Sequence, residues 1–109
     1  MQASEIAFLE QSLDAFITSS IHRVSYSGDM VYTYKINVAD MKAASGRQRL
    51  NDATIDLCER FFANHSVAAV YDEVFNAFIV TMDLNRCMLT PQQAGFLSTA
   101  MEVFRAEHL

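Results

Sequence analysis

The side chains best suited to chemistry are three histidines and two cysteines, which lie far apart along the chain. No HxH or HxxxH spacing joins His22, His65 and His108, so the pattern does not predict converging metal ligands. Cys58 falls on the apolar side of a predicted helix, and Cys87 precedes the last predicted helix. Two cysteines without a CxxC partner make neither a tetrahedral zinc site nor a disulfide framework. We therefore predict no metal, no cofactor and no cysteine nucleophile.

The carboxylates are scattered in a way that does not favour acid–base catalysis. Asp72 and Glu73 adjoin at the end of a predicted strand, where successive side chains point to opposite faces. Asp52, Asp56 and Glu59 follow one another at helical spacing, which is typical of a solvated helix face. With no catalytic arrangement among these groups, we predict that the protein is not an enzyme.

One short segment is a candidate anion-binding site. Lys42, Arg47 and Arg49 cluster around Ser45–Gly46, just before a predicted helix. Backbone amides at a helix start, together with flanking arginines, can hold a phosphate or a carboxylate. Neither nucleotide-binding fingerprint, GxxxxGK[ST] or GxGxxG, is present. An ordinary exposed loop is the alternative interpretation of the same residues.

Composition limits the remaining classes. The chain has 109 residues, of which 51% are hydrophobic, and a formal charge of −5, enough apolar material for one domain over 1–109. The acidic balance argues against direct nucleic-acid binding, because that requires cations to neutralise phosphates. The N-terminus lacks the basic start of a secretory signal, and no apolar stretch is long enough to cross a membrane. We expect a cytoplasmic protein that binds no membrane.

Hydrophobic periodicity predicts an α+β chain. Helical spacing over 4–20 is followed by two-residue alternation, which predicts a β-hairpin with strands at 21–26 and 30–38. The segment 40–49 is predicted to be a loop or a short helical turn. The remaining predicted elements are a helix at 50–64, strands at 66–72 and 76–84, and a helix that starts at the Thr90-Pro91-Gln92-Gln93 capping sequence.

The predicted order is therefore α-ββ-α-ββ-α, with a four-stranded antiparallel sheet and helices packed mainly on one face. Moving the last strand of a ferredoxin-like βαββαβ fold to the front gives the same ββαββα segment, so a permuted arrangement of that kind is one interpretation. Two α-ββ units also align when the chain is shifted against itself, which raises the hypothesis of an internal duplication.

The outward face of the predicted sheet is the best candidate for function. It carries a mixture of apolar and polar residues, with Val31, Thr33 and Lys35 on one strand and Ile79 and Thr81 on another. A sheet with helices on one side leaves such a face available to a partner unless the first helix covers it. We take these five residues as candidate partner-binding positions.

Three functional hypotheses follow from the sequence. The first is an acidic protein-interaction module that regulates or inhibits another protein by occluding its surface. The second is a dimeric chaperone or adaptor of the kind used by bacterial secretion systems, which makes homodimerisation a specific expectation. The third is a small ligand-binding domain or enzyme that uses the basic loop 42–49, since one scaffold can host many functions.

Overall fold

A computed structural model describes residues 1–109 as four helices and a three-stranded sheet. In chain order the elements are α1 (Ala3–Ser27), β1 (Val31–Asn37), α2 (Val38–Ser45), α3 (Asp52–Ala63), β2 (Ala68–Asp72), β3 (Ala77–Asp83) and α4 (Pro91–His108). The α+β class is as predicted. The order α-ββ-α-ββ-α is wrong, because the chain runs α-β-α-α-β-β-α. No helix has the length and hydropathy needed to cross a membrane.

The predicted strand at 21–26 belongs to α1. The buried side of this helix continues past the expected end through Ser20, Ile21 and Val24, all at helical spacing from Ile17. Ser20 does not end the helix because its hydroxyl is hydrogen-bonded to the Tyr34 hydroxyl, 2.8 Å away, inside the protein. The helix ends instead at Gly28, which adopts a left-handed conformation with φ 74°.

The segment after β1 is more helical than the sequence indicated. Its first part forms the two-turn helix α2, which ends at Gly46, again with φ 74°. The predicted second helix is confirmed as α3, and the Asn51 side chain caps it by accepting a hydrogen bond from the Thr54 amide at 2.8 Å. The pair of strands at 66–72 and 76–84 is confirmed as the antiparallel hairpin β2–β3.

The sheet has the strand order β1-β3-β2, with both neighbouring pairs antiparallel. The prediction of four strands is wrong, because β1 has no preceding hairpin partner and pairs with β3 instead. The permuted ferredoxin-like arrangement is therefore also wrong. The internal duplication loses its basis, since the first helix is followed by one strand and the third by two.

The first three helices pack against one face of the sheet. On α1, Phe16 stacks on the Tyr34 ring with centroids 4.6 Å apart, and the Arg23 guanidinium lies 4.2 Å from the centre of the Tyr32 ring. The helix α3 packs beside β2. Between the sheet and these helices lies one cluster of 20 buried residues, whose largest fully buried members include Phe62 and Phe78.

The last helix, α4, packs on α1 and forms an outer layer. Its start is as predicted: the Thr90 hydroxyl accepts from the Gln93 amide, and the Gln93 side chain accepts from the Thr90 amide. Gln93 lies near Asp14 in the middle of α1, and Phe104 lies against Gly28 at the end of α1. The two helices therefore run parallel.

Candidate functional site: the open face of the sheet

The face of the sheet that points away from α1 carries the predicted partner-binding residues together. The register pairs Thr33 with Thr81 and Lys35 with Ile79, and Val31 precedes them on the same face of β1. The hairpin partner β2 adds two further residues to this face. We define the open face by its central members, which are Val31, Thr33, Lys35, Ala68, Val70, Ile79 and Thr81. Asp83, paired with Val31, lies on the same side of the sheet at its end.

The first helix does not cover the open face. Thr33 and Lys35 are exposed, and Val31 keeps 49% of its surface accessible. The alternate residues of the same strand, Tyr32 and Ile36, are buried beneath the helices. This contrast decides the question that the sequence left open, because helix cover falls entirely on the opposite side of the strand.

Two exposed apolar side chains extend the surface beyond the positions predicted from the sequence. Val70, at the centre of β2, is 62% exposed, and Phe75, in the β2–β3 turn, is 61% exposed. The Lys35 ammonium lies 4.8 Å from the centre of the Phe75 ring, so the turn reaches the open face. The alternation in β2 could have identified Val70, but no sequence pattern indicates where Phe75 lies.

The basic loop does not bring its three cations together. The Arg47 guanidinium lies against the carboxylate of Glu5, with 2.7 Å between Nε and Oε2. Lys42 and Arg49 instead line a small cavity of about 220 Å³ that does not include Arg47. The Lys42 ammonium is 3.5 Å from the Gln48 carbonyl oxygen.

Both cysteines are free and buried. The Cys58 sulfur lies 3.8 Å from the Met41 sulfur, and burial, helped by the nearby Glu5 carboxylate, raises the pKa of the Cys58 thiol to about 11. Burial also raises the pKa of Cys87, which is 9% exposed. Both thiols are therefore protonated at neutral pH, unlike a cysteine nucleophile.

The histidines occupy separate parts of the molecule. His22 lies on α1 beside Tyr26, His65 follows α3 beside Phe61, and His108 stacks on Phe104 near the chain end. No three side chains of His, Cys, Asp or Glu form a group that could hold a metal ion.

The largest cavity is a groove of about 610 Å³ between the parallel helices α1 and α4. Ile21 and Ala100 contribute buried apolar surface, and Phe96 stands at the side with 57% of its area exposed. His22 and Asp14 add polar groups from α1. No pattern in the sequence predicts this groove, because it arises only when α4 packs on α1.

No protein-family model, curated protein or solved structure matches this chain.

Proposed function

We propose that this protein is a non-enzymatic interaction module that regulates or inhibits another protein by binding it through the open face and occluding its surface. The observation that carries the proposal is the uncovered sheet face. When helices cover only one face of an antiparallel sheet, the other face is exposed to water and usually carries polar side chains. Here Val31, Val70 and Ile79 share that face with a single cation, Lys35.

The chemistry of the open face indicates the surface it would fit. Its centre is made of β-branched side chains, which are rigid and lose little conformational freedom on binding. Lys35 provides one positive charge among them. The complementary partner surface is therefore apolar at its centre and carries a carboxylate opposite Lys35. The protein is acidic, with a charge of −5. Long-range electrostatic attraction would therefore favour association with a partner whose surface is basic around this contact.

The two alternative functions have less support. A ligand site in the loop 42–49 would have to work without Arg47, because that side chain is engaged by Glu5. A dimeric chaperone or adaptor is compatible with the same open face, and a homodimer alone does not distinguish it from a regulator that acts by occluding its partner. The two free cysteines fit a reducing compartment, so we propose the cytoplasm as the place of action.

Site-specific photocrosslinking in the native host tests the proposal. A photoreactive residue at Ile79 or Thr81, in the central strand, is expected to capture one defined protein. The same residue at Ser98, on the exposed surface of α4, serves as the matched control and is expected to capture none. The captured protein is then titrated with the wild type and with Ile79→Asp, which should weaken binding at least about tenfold by placing a charge in the contact.

Two results would overturn the proposal. One is equal capture from Ser98 and from the open face. The other is capture confined to a photoreactive residue at Thr99, which would move the binding site to the groove between α1 and α4.

A further inference from the structure

The outer edge of β1 has backbone groups with no partner in the chain. The Leu84 amide donates to the Met30 carbonyl at 2.9 Å, and the Val38 amide donates to the Asn76 carbonyl at 3.1 Å. The even-numbered residues from Met30 to Val38 are therefore the ones whose backbone groups face β3. In an antiparallel pair, residues that bond to the neighbouring strand alternate with residues whose N–H and C=O point away. In β1 the outward set is therefore Val31, Thr33, Lys35 and Asn37.

The edge at the other side of the sheet is partly occupied by α3. The Tyr71 amide, which points away from β3, donates to the Glu59 carboxylate of α3 at 2.8 Å. The helix α3 lies along β2. Only the β1 side therefore presents a full row of free donors and acceptors.

The β1 edge has only one of the features that keep edge strands from pairing. Natural edges are shortened, bulged, interrupted by proline or protected by charged side chains, lysine above all. Here the strand has seven residues, its register with β3 is unbroken from Val31 to Asn37, and its one charged residue is Lys35.

We propose that β1 pairs antiparallel with β1 of a second copy of this chain, with Thr33 on the two-fold axis. This register places Thr33 opposite Thr33 of the second copy and Val31 opposite Lys35 of the second copy. It forms about six new backbone hydrogen bonds and joins two three-stranded sheets into one. The open faces of both copies then lie side by side on a single surface.

Side-chain chemistry favours this register over one centred on Lys35. Threonine pairs directly across antiparallel strands are favourable, whereas a two-fold axis at Lys35 would place two ammonium groups opposite each other. Asp83 of β3 is paired with Val31, and Lys35 of the second copy lies on the other side of Val31. All three side chains are on the same face of the joined sheet. In the dimer the lysine chain leaves the Phe75 ring and lies over Val31, with its ammonium directed to Asp83. There it adds a second cation to the carboxylate, whose Oδ2 lies 3.7 Å from the Arg86 Nε.

The inference goes beyond the proposed function because the new bonds come from the backbone edge of β1, whereas partner binding uses the side chains of the open face, with Lys35 common to both. The tests are separable for the same reason. A monomer could still be crosslinked to a partner from Ile79 or Thr81, and a dimer could form in a protein that captures no partner.

Cysteine crosslinking reads out the register. In the wild-type background, where Cys58 and Cys87 are buried, Thr33→Cys is expected to form a disulfide-linked dimer under mild oxidation. Val31→Cys and Lys35→Cys are expected to stay unlinked when each is oxidised alone and to crosslink when they are mixed. Rapid linkage of Lys35→Cys with itself would contradict the register.

Sedimentation velocity from micromolar to near-millimolar concentration measures the association itself. The wild type is expected to dimerise, and Thr33→Pro should raise the dissociation constant at least about tenfold by removing an edge donor from each copy. The Thr33 amide makes no bond to β3, so circular dichroism should show a folded variant.

Three outcomes would overturn the proposal, and the cysteine series tests it even if Thr33→Pro fails to fold. The first is a wild type that stays monomeric throughout with no Thr33→Cys linkage. The second is a dimer that a folded Thr33→Pro leaves unchanged. The third is protection of the β1 edge by an extended segment of a different protein.

Discussion

Glu5 and Arg47 join the first turn of α1 to the loop after α2 through a contact of 2.7 Å between Oε2 and Nε. Glu5 is completely buried, and a quarter of the Arg47 side chain is exposed. The two atoms touch without an aligned hydrogen bond, so charge attraction holds them together. The other carboxylate oxygen accepts from the Gln2 amide at 2.9 Å, which ties the helix start to the same group.

We expect Arg47→Ala to lower the free energy of unfolding by about 3 kcal/mol, because it leaves the buried Glu5 carboxylate without its cation. Glu5→Ala should cost less, since the Arg47 side chain already reaches water. Urea unfolding measures both changes, with the exposed Arg49→Ala as the matched control. If the two residues are coupled, the double variant should lose less free energy of unfolding than the two single variants lose together. A loss in the double variant equal to that sum would contradict the coupling.

The burial of Cys58 makes stability depend on alkaline pH. The folded protein raises the pKa of this thiol from 9.0 to about 11, so the unfolded chain releases the proton first. The contribution is complete below pH 9 and is lost as the pH rises to about 11, with a total of about 3 kcal/mol. Urea unfolding under reducing conditions should show this decline.

Cys58→Ala is the control for the alkaline decline, because lysines and tyrosines also titrate in this range. The variant should be less stable at pH 8 owing to the small void it creates, and its stability should fall less steeply between pH 9 and pH 11. If the free energy of unfolding fell equally steeply with pH in the wild type and in Cys58→Ala, Cys58 would not be the group responsible for the decline.

The hydroxyl of Tyr34 supports the extended part of α1. Tyr34→Phe removes the 2.8 Å hydrogen bond to Ser20, whose side chain is completely buried, so we expect a loss of about 1–2 kcal/mol. Thermal and urea unfolding measure the loss. Tyr26→Phe, at a 55% exposed position on the same helix, should be nearly neutral. Equal effects of the two variants would contradict a specific role for the Ser20 contact.

Gly28 and Gly46 form a natural pair for testing how α4 docks. Both have φ 74°, but a Cβ at Gly28 would lie 2.5 Å from the Phe104 ring, while one at Gly46 would meet nothing within 4 Å. Gly46→Ala should cost about 1 kcal/mol from the left-handed backbone alone. Gly28→Ala should cost clearly more, because it also displaces the Phe104 ring.

Replacing the Phe104 ring with a smaller side chain separates the two contributions to the Gly28→Ala loss, backbone strain and the clash with the ring. In a Phe104→Leu background, Gly28→Ala should cost little more than Gly46→Ala, as measured by thermal unfolding. Hydrogen exchange should show the loss of protection concentrated in α4, which packs mainly on α1. A Gly28→Ala penalty unchanged by Phe104→Leu would mean that the backbone strain alone accounts for it.

Local patterns in the sequence determined the elements whose signals are complete within a few residues. The capping sequence at Thr90 and Gln93 marks the start of α4, because both partners of each hydrogen bond lie within one turn. The alternation in β3 identifies its buried face, and the apolar stripe identifies α3. The mixed face with Val31, Thr33, Lys35, Ile79 and Thr81 was likewise evident from two-residue alternation.

Only the tertiary structure decided where α1 ends and which residues lie beside each other across the chain. Ser20 extends the helical stripe because Tyr34, on a later strand, satisfies its hydroxyl, and Glu5 belongs to the buried side because Arg47 arrives from a distant loop. The pairing of β1 with β3, which leaves one free edge beside an open face, depends on contacts between residues far apart in the chain. Periodicity describes one segment at a time, so it cannot reveal a polar group that is buried only because a distant residue satisfies it.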